Sequence, residues 1–170
     1  MKKIMLLVLS LLLFSSFMSN NINENEERQK INTVLDDWHK SAAEANAKNY
    51  FGALTDDAIF IGTDATENWN KKEFEAFAKP FFDKGKAWDF KPIERHVYIS
   101  KDQKTAWFDE LLDTWMKVCR GSGVMVKVGN DWKIQHYVLS MTVPNDNTNE
   151  VIKIKSSIED TFIQKLKKDK

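Results

Sequence analysis

From Lys86 to Val143 the apolar residues stop recurring every three to four positions and begin to recur every two. Four runs, "AWDFKPIERHVYIS", "KTAWFDELLDTWMKV", "CRGSGVMVKV" and "DWKIQHYVLSMTV", read as long strands. The segments "SKDQK" and "VGND" between them suit tight antiparallel hairpins. A stretch of this length commits the chain to a sheet, and what precedes it has the other period. Ile31, Val34, Leu35, Trp38, Ala42 and Ala45 form one apolar stripe, which predicts a helix from about Glu24 to Ala47. "YFGALTDD", capped by Asn49, is expected to be a short second helix ending near Asp56, and "AIFIG" a strand. Asp64 and Glu67 have capping-box spacing ahead of a third helix, "KKEFEAFAKPFFDKG". That helix would carry Phe74, Phe77 and Phe81 or Phe82 on one side, with Pro80 late in it and Gly85 at its stop. Helices with one early strand, then a four-stranded meander, define an α+β layout with helices on one side of a curved antiparallel sheet.

The ends read differently. "MKKIMLLVLSLLLFSSFMSN" has a basic start and an apolar run too short for a comfortable membrane span, so residues 1–20 are expected to be a signal peptide. The protein would then be exported, periplasmic or secreted, with no membrane attachment after removal; an uncleaved anchor is the alternative. The folded domain is expected over 24–144. Residues 145–170 read as a polar linker and an amphipathic helix with Ile154, Ile158, Phe162 and Leu166, its lysines forming a solvated end.

Composition removes several function classes. Formal net charge is zero, so no global field gathers nucleic acid. The 42% hydrophobic content of 170 residues suffices for the core of one domain. Cys119 is the only cysteine; it can form no intramolecular disulfide and is expected to be a small buried residue. His39, His96 and His136 form no ligand-spaced pair, and "RGSG" lies inside a strand run, so neither a metal nor a nucleotide or other cofactor is expected.

The stretch "AWFDELLDTW" carries the chemical question, because its acids alternate with large apolar groups. Strand parity assigns Ala106, Phe108, Glu110 and Leu112 inward, leaving Trp107, Asp109, Asp113 and Trp115 outside. On the last strand Trp132 and Ile134 look like core anchors, which places His136, Val138 and Ser140 inward with them. Arg120 shares a face with Ser122, Val124 and Val126, while Gly121 and Gly123 mark a bulge or a close backbone approach. Arg95 falls with Ile93 and Val97 on the more apolar face of "ERH", and Glu94 and His96 fall outside with Tyr98. Glu110, Arg120 and His136 are therefore expected to converge in an apolar interior. Such a trio is a satisfied buried ion pair, a set of ligand contacts, or an acid–base pair with Arg120 holding an anionic substrate group.

Three stretches give the order of elements a family likeness: "DDWHKSAAEANAKNYFGALTDDAIFIGTDATENW", "KKEFEAFAKPFFDKGKAWDF" and "CRGSGVMVKVGNDWKIQHYVLSMTVPN". Together they cover roughly residues 30 to 145 and resemble the NTF2-like superfamily, in particular its SnoaL-like branch. The resemblance implies a bent sheet around a cone-shaped pocket, often paired with a second copy through the outer sheet face. It leaves function open, since the superfamily spans isomerases, dehydratases, cyclases, transport adaptors and kinase-association modules. The expectation is a homodimer that binds a small, largely apolar organic molecule in the cone. Glu110, Arg120 and His136 would make its polar contacts, and Trp38, Tyr50 and Phe108 would form its walls. One alternative is an enzyme of isomerase, dehydratase or cyclase type with Glu110 or His136 as general base. Another is a non-catalytic interaction module acting through the Trp107 and Trp115 face.

Overall fold

The computed structural model describes residues 24–168, so the expected signal peptide lies outside the described residues. The first helix, α1, occupies 24–43 and buries Glu27, Ile31, Leu35, Trp38, His39 and Ala42 along one stripe. It ends sooner than its apolar pattern suggests, because Ala45 takes a positive φ of 52° and breaks the helical path. Asn46, not Asn49, caps α2 (Ala47–Gly52), its side chain accepting the Asn49 N–H. The chain extends from Leu54, so "LTDD" is strand and not the end of a helix; β1 runs Leu54–Ile61.

Two Asx/Glu pairs of the same spacing compete for the start of the next helix, and the second wins. Asp64 and Glu67 close a turn, Asp64 accepting from Thr66 and Glu67 accepting the Asp64 N–H. That turn leads into a short strand, β2 (Asn68–Asn70), antiparallel to β1. Asn70 and Glu73 then form the capping box of α3 (Lys71–Asp83). Helix α3 buries Phe74, Ala78 and Phe82, while Phe77 and Phe81 stay partly exposed beside them. Gly85, at φ 72°, stops it: its N–H reaches the Phe82 carbonyl and the Lys86 N–H reaches Phe81, a Schellman closure.

The four long strands follow as β3 (Lys91–Ile99), β4 (Thr105–Thr114), β5 (Lys117–Val128) and β6 (Asp131–Met141). The β4–β5 connection is a two-residue turn, so Lys117 and Val118 belong to β5 and Trp115 lies in the turn instead of on a strand face. The sheet has six strands in the order β2-β1-β6-β5-β4-β3, with β1 parallel to β6. The β1–β6 pairing makes the sheet mixed where an antiparallel sheet was expected, while β3, β4 and β5 pair antiparallel as the sequence suggested.

Its inner face is built from alternate residues. On β4 these are Ala106, Phe108, Glu110, Leu112 and Thr114, as parity predicts. On β5 they are Cys119, Gly121, Gly123 and Met125. The two glycines serve close approach: a Cβ at Gly121 would meet the Tyr137 hydroxyl at 2.2 Å, and one at Gly123 would meet the His136 carbonyl at 2.4 Å. The rings of Tyr137 and Phe108 occupy the space those side chains leave.

From Met141 onward the described residues form a second compact unit. A short 3₁₀ turn (Asn145–Asn147) leads into α4 (Thr148–Lys168), none of whose residues is buried. Ile154, Ile158 and Leu166 are exposed on it, and Lys155 pairs with Glu159 at 2.7 Å.

Candidate functional site

Glu110 is 1% exposed, and both carboxylate oxygens are occupied. Oε1 lies 2.8 Å from His39 Nε2 on α1 and accepts from the Tyr137 hydroxyl on β6 at 3.1 Å. Oε2 accepts from Arg95 Nε on β3 at 2.8 Å. Arg95 Nη1 reaches on to Asp36 on α1 at 2.7 Å, so one hydrogen-bonded network ties the first helix to β3, β4 and β6. Burial by itself would raise the Glu110 pKa; the His39 hydrogen bond and charge, with Arg95, outweigh it and hold the carboxyl below its ordinary value. An ionised carboxylate only accepts, so His39 Nε2 is the donor in that contact. Burial, and then the Glu110 charge, push the Tyr137 pKa well above normal, which keeps its hydroxyl a donor.

A carboxylate, an arginine and a histidine do meet in the interior, but two of the three come from elsewhere in the chain. Arg120 is exposed on the outer side of β5, because Cys119 and Met125, with Gly121 and Gly123, take the inner side. His136 is half-buried and off the inner face, because β6 changes parity: Trp132 and Ile134 point in, then Tyr137 and Leu139. The β1–β6 pairing shifts register over the same stretch, between Leu54 and Ile59. Arg95 and His39 stand in the places expected of Arg120 and His136. Arg95 shares the inner face of β3 with Val97, while Ile93 is exposed beyond a register shift between Pro92 and Glu94. His39 lies on the buried stripe of α1, four residues after Leu35, a signal present in the periodicity. Trp38, Tyr50 and Phe108 are all buried core rings, Trp38 and Tyr50 stacked at 4.9 Å.

On the outer face, His96 contacts Glu94 and Asp109, and Tyr98 stacks on Trp107 at 5.8 Å with both rings half exposed. A second acid, Glu27, anchors the start of α1 by accepting from Lys127, Trp132 Nε1 and Lys30 at 2.7–2.8 Å. Burial works against its charge, but those donors lower its pKa to about 2.

The cavity suited to an organic molecule lies away from Glu110. It encloses about 780 Å³ between β1, β2, α3, the segment 86–90 and the Trp115–Met116 turn. Phe60, Trp69, Phe74, Phe77, Phe81 and Trp88 supply most of its ring surface. Several of these rings run nearly parallel: Phe60 on Phe74 at 13°, Trp69 on Phe74 at 15°, and Trp69 on Phe77 at 23° with centroids 4.5 Å apart. Phe77, Phe81 and Trp115 are 43%, 44% and 80% exposed, so the apolar wall continues to the surface. A larger hollow of about 1090 Å³ beside α1 is lined by mixed charges, including Glu26, Lys30, Asp37, Lys40 and Lys133. Val34, Trp38, Ala53 and Trp132 lie among those charges, so its lining mixes apolar and charged groups. Among the described residues no three His, Cys, Asp or Glu side chains are grouped to hold a metal, and no helix is long and apolar enough to cross a membrane.

An open, curved mixed sheet of six strands with helices against its inner face is the NTF2-like architecture. The family model for the SnoaL-like domain matches residues 31–144, and the chain belongs to that family. No curated protein sequence matches it. Among solved structures, an NTF2-like protein of unknown function from Pseudomonas putida superposes with a TM-score of 0.58 at 12% identity, covering 70% of this chain and 89% of that one. An NTF2-like protein from Cytophaga hutchinsonii gives 0.56 at 17% identity, with 68% and 98% covered. A proposed scytalone dehydratase from Novosphingobium aromaticivorans gives 0.57 at 12% identity, with 71% and 87% covered. Likenesses at these identities establish the fold alone.

Proposed function

We propose that the domain binds a small, largely apolar organic molecule in the aromatic cavity. The carrying observation is the cavity of about 780 Å³ walled by rings from β1, β2, α3 and the 86–90 segment, a volume and lining suited to such a ligand. The polar contacts expected of Glu110 then pass to groups at the cavity rim, since Glu110 is engaged by Arg95, His39 and Tyr137. This engagement weighs against Glu110 as a general base, which needs a free lone pair near substrate. The dehydratase likeness does not alter that balance.

The half-exposed Tyr98–Trp107 stack supports a second element of the reading, pairing of two copies through the outer sheet face. Sedimentation at several concentrations tests it: a dimer weakened by Trp107→Ala is expected, and a monomer throughout rejects it.

For the cavity, the neutral probe N-phenyl-1-naphthylamine is titrated against the wild type and the Trp69→Ala/Phe77→Ala double variant. Saturable binding that the double variant weakens at least about ten-fold is expected. No saturable binding, or equal binding by both proteins, rejects the proposal.

A further inference from the structure

The cavity is apolar but not neutral. Three charged side chains contribute to its lining: Glu67, Lys86 and Asp89. Lys86 is exposed, and Asp89, also exposed, has Lys91 Nζ 3.8 Å away. Glu67 differs from both. It is half-buried and its side chain lies over Gly62, where an added Cβ would sit 2.2 Å from Oε2. Its carboxylate accepts the Asp64 N–H at 3.1 Å, and among the described residues no lysine, arginine or histidine makes an ion pair with it. Trp69, two residues along, Trp88 and Trp115 line the same cavity. Indole faces carry negative potential and attract cations, most strongly where water is excluded.

Rings and an unpaired carboxylate bordering one space are complementary to a positive charge with an apolar coat. We infer that the ligand of this cavity is an organic cation, a quaternary ammonium or protonated amine on an apolar body. This inference rests on the cavity being a binding site and sharpens what it selects. The ammonium group lies near Glu67 and the indoles, and the apolar body lies along the stacked rings of Trp69 and Phe77.

The test compares benzyltrimethylammonium with neopentylbenzene, its neutral isostere, each displacing N-phenyl-1-naphthylamine from the full chain. The cation is expected to displace the dye at about ten-fold lower concentration than the isostere. Glu67→Gln, which keeps an oxygen to accept the Asp64 N–H, is expected to shrink that preference several-fold while leaving the isostere unchanged. Circular dichroism confirms that this variant is folded, and Glu67→Asp should restore part of the preference. Equal displacement by cation and isostere overturns the inference and leaves apolar binding standing. A cation preference untouched by Glu67→Gln overturns it too. If the dye itself does not bind, the cavity reading falls and the inference falls with it.

Discussion

The Glu110 interior and the aromatic cavity belong to one fold and have opposite chemistry. Around Glu110 an arginine, a histidine and a phenol converge on one carboxylate at 2.8–3.1 Å, enclosed by core rings. In the cavity the inner rings, Phe60 and Phe74, are buried, the rim rings Phe77 and Phe81 are 43% and 44% exposed, and among the described residues no cation pairs with Glu67. A buried charge persists only when neutralised and hydrogen-bonded, so the first region holds α1 against the sheet, with both Glu110 oxygens engaged and Arg95 Nη2 left without a partner. Apolar surface left open contributes nothing to folding, which leaves the second region free to recognise something else.

The contrast breaks most sharply at Glu110. Glu110→Ala leaves buried Arg95 with only the exposed Asp36 as counter-charge, takes the acceptor from His39 and Tyr137, and should lower unfolding free energy by about 3–5 kcal/mol in urea titrations. Near-wild-type stability would mean the network is not what holds α1 in place. Gly121→Ala pushes a methyl into the Tyr137 hydroxyl and within 3.0 Å of Glu110 Cγ, for an expected loss of about 1–3 kcal/mol. Gly52→Ala, with nothing within 4 Å of the added carbon, is the control and should not destabilise the domain.

Acid sharpens the same comparison. The folded pKa of Glu27 is about 2 against an ordinary 4.5, so its stabilisation is complete above about pH 4.5 and fades as pH falls towards 2. Glu110, also lowered, acts in the same direction. Glu27→Gln should therefore flatten the loss of stability between pH 4.5 and 2; an unchanged slope would remove Glu27 from the acid response. The smallest stability effect belongs to the cavity. Phe77→Ala removes a ring that is 43% exposed, which should cost under about 1 kcal/mol while weakening probe binding. A large loss of stability there would make the cavity wall part of the core and erase the distinction between the two regions.

Much of the architecture was legible along the chain. The stripe of α1, the inner face of β4 with Glu110, the outward turn of Glu94 and His96 and the stop at Gly85 all follow from period and local chemistry. Local spacing alone did not choose between Asp64/Glu67 and Asn70/Glu73 as the helix start, since both pairs fit a cap. The pairing of β1 with β2 decided it. The cavity was not read from the sequence, because its rings are spread over segments whose mutual placement no periodicity encodes.

The sequence by itself determined the stripe of α1, the long strands and the inward side of Glu110. Tertiary structure decided which groups meet it. Strand parity carries a side chain's direction only as far as the next irregularity, and the change within β6 turned His136 out and Tyr137 in. Two inward glycines on β5 left Arg120 on the far side of its strand. Arg95 and His39 reach Glu110 from 15 and 71 residues away, a choice fixed by how β3 and α1 pack, because long-range contacts depend on packing and not on spacing.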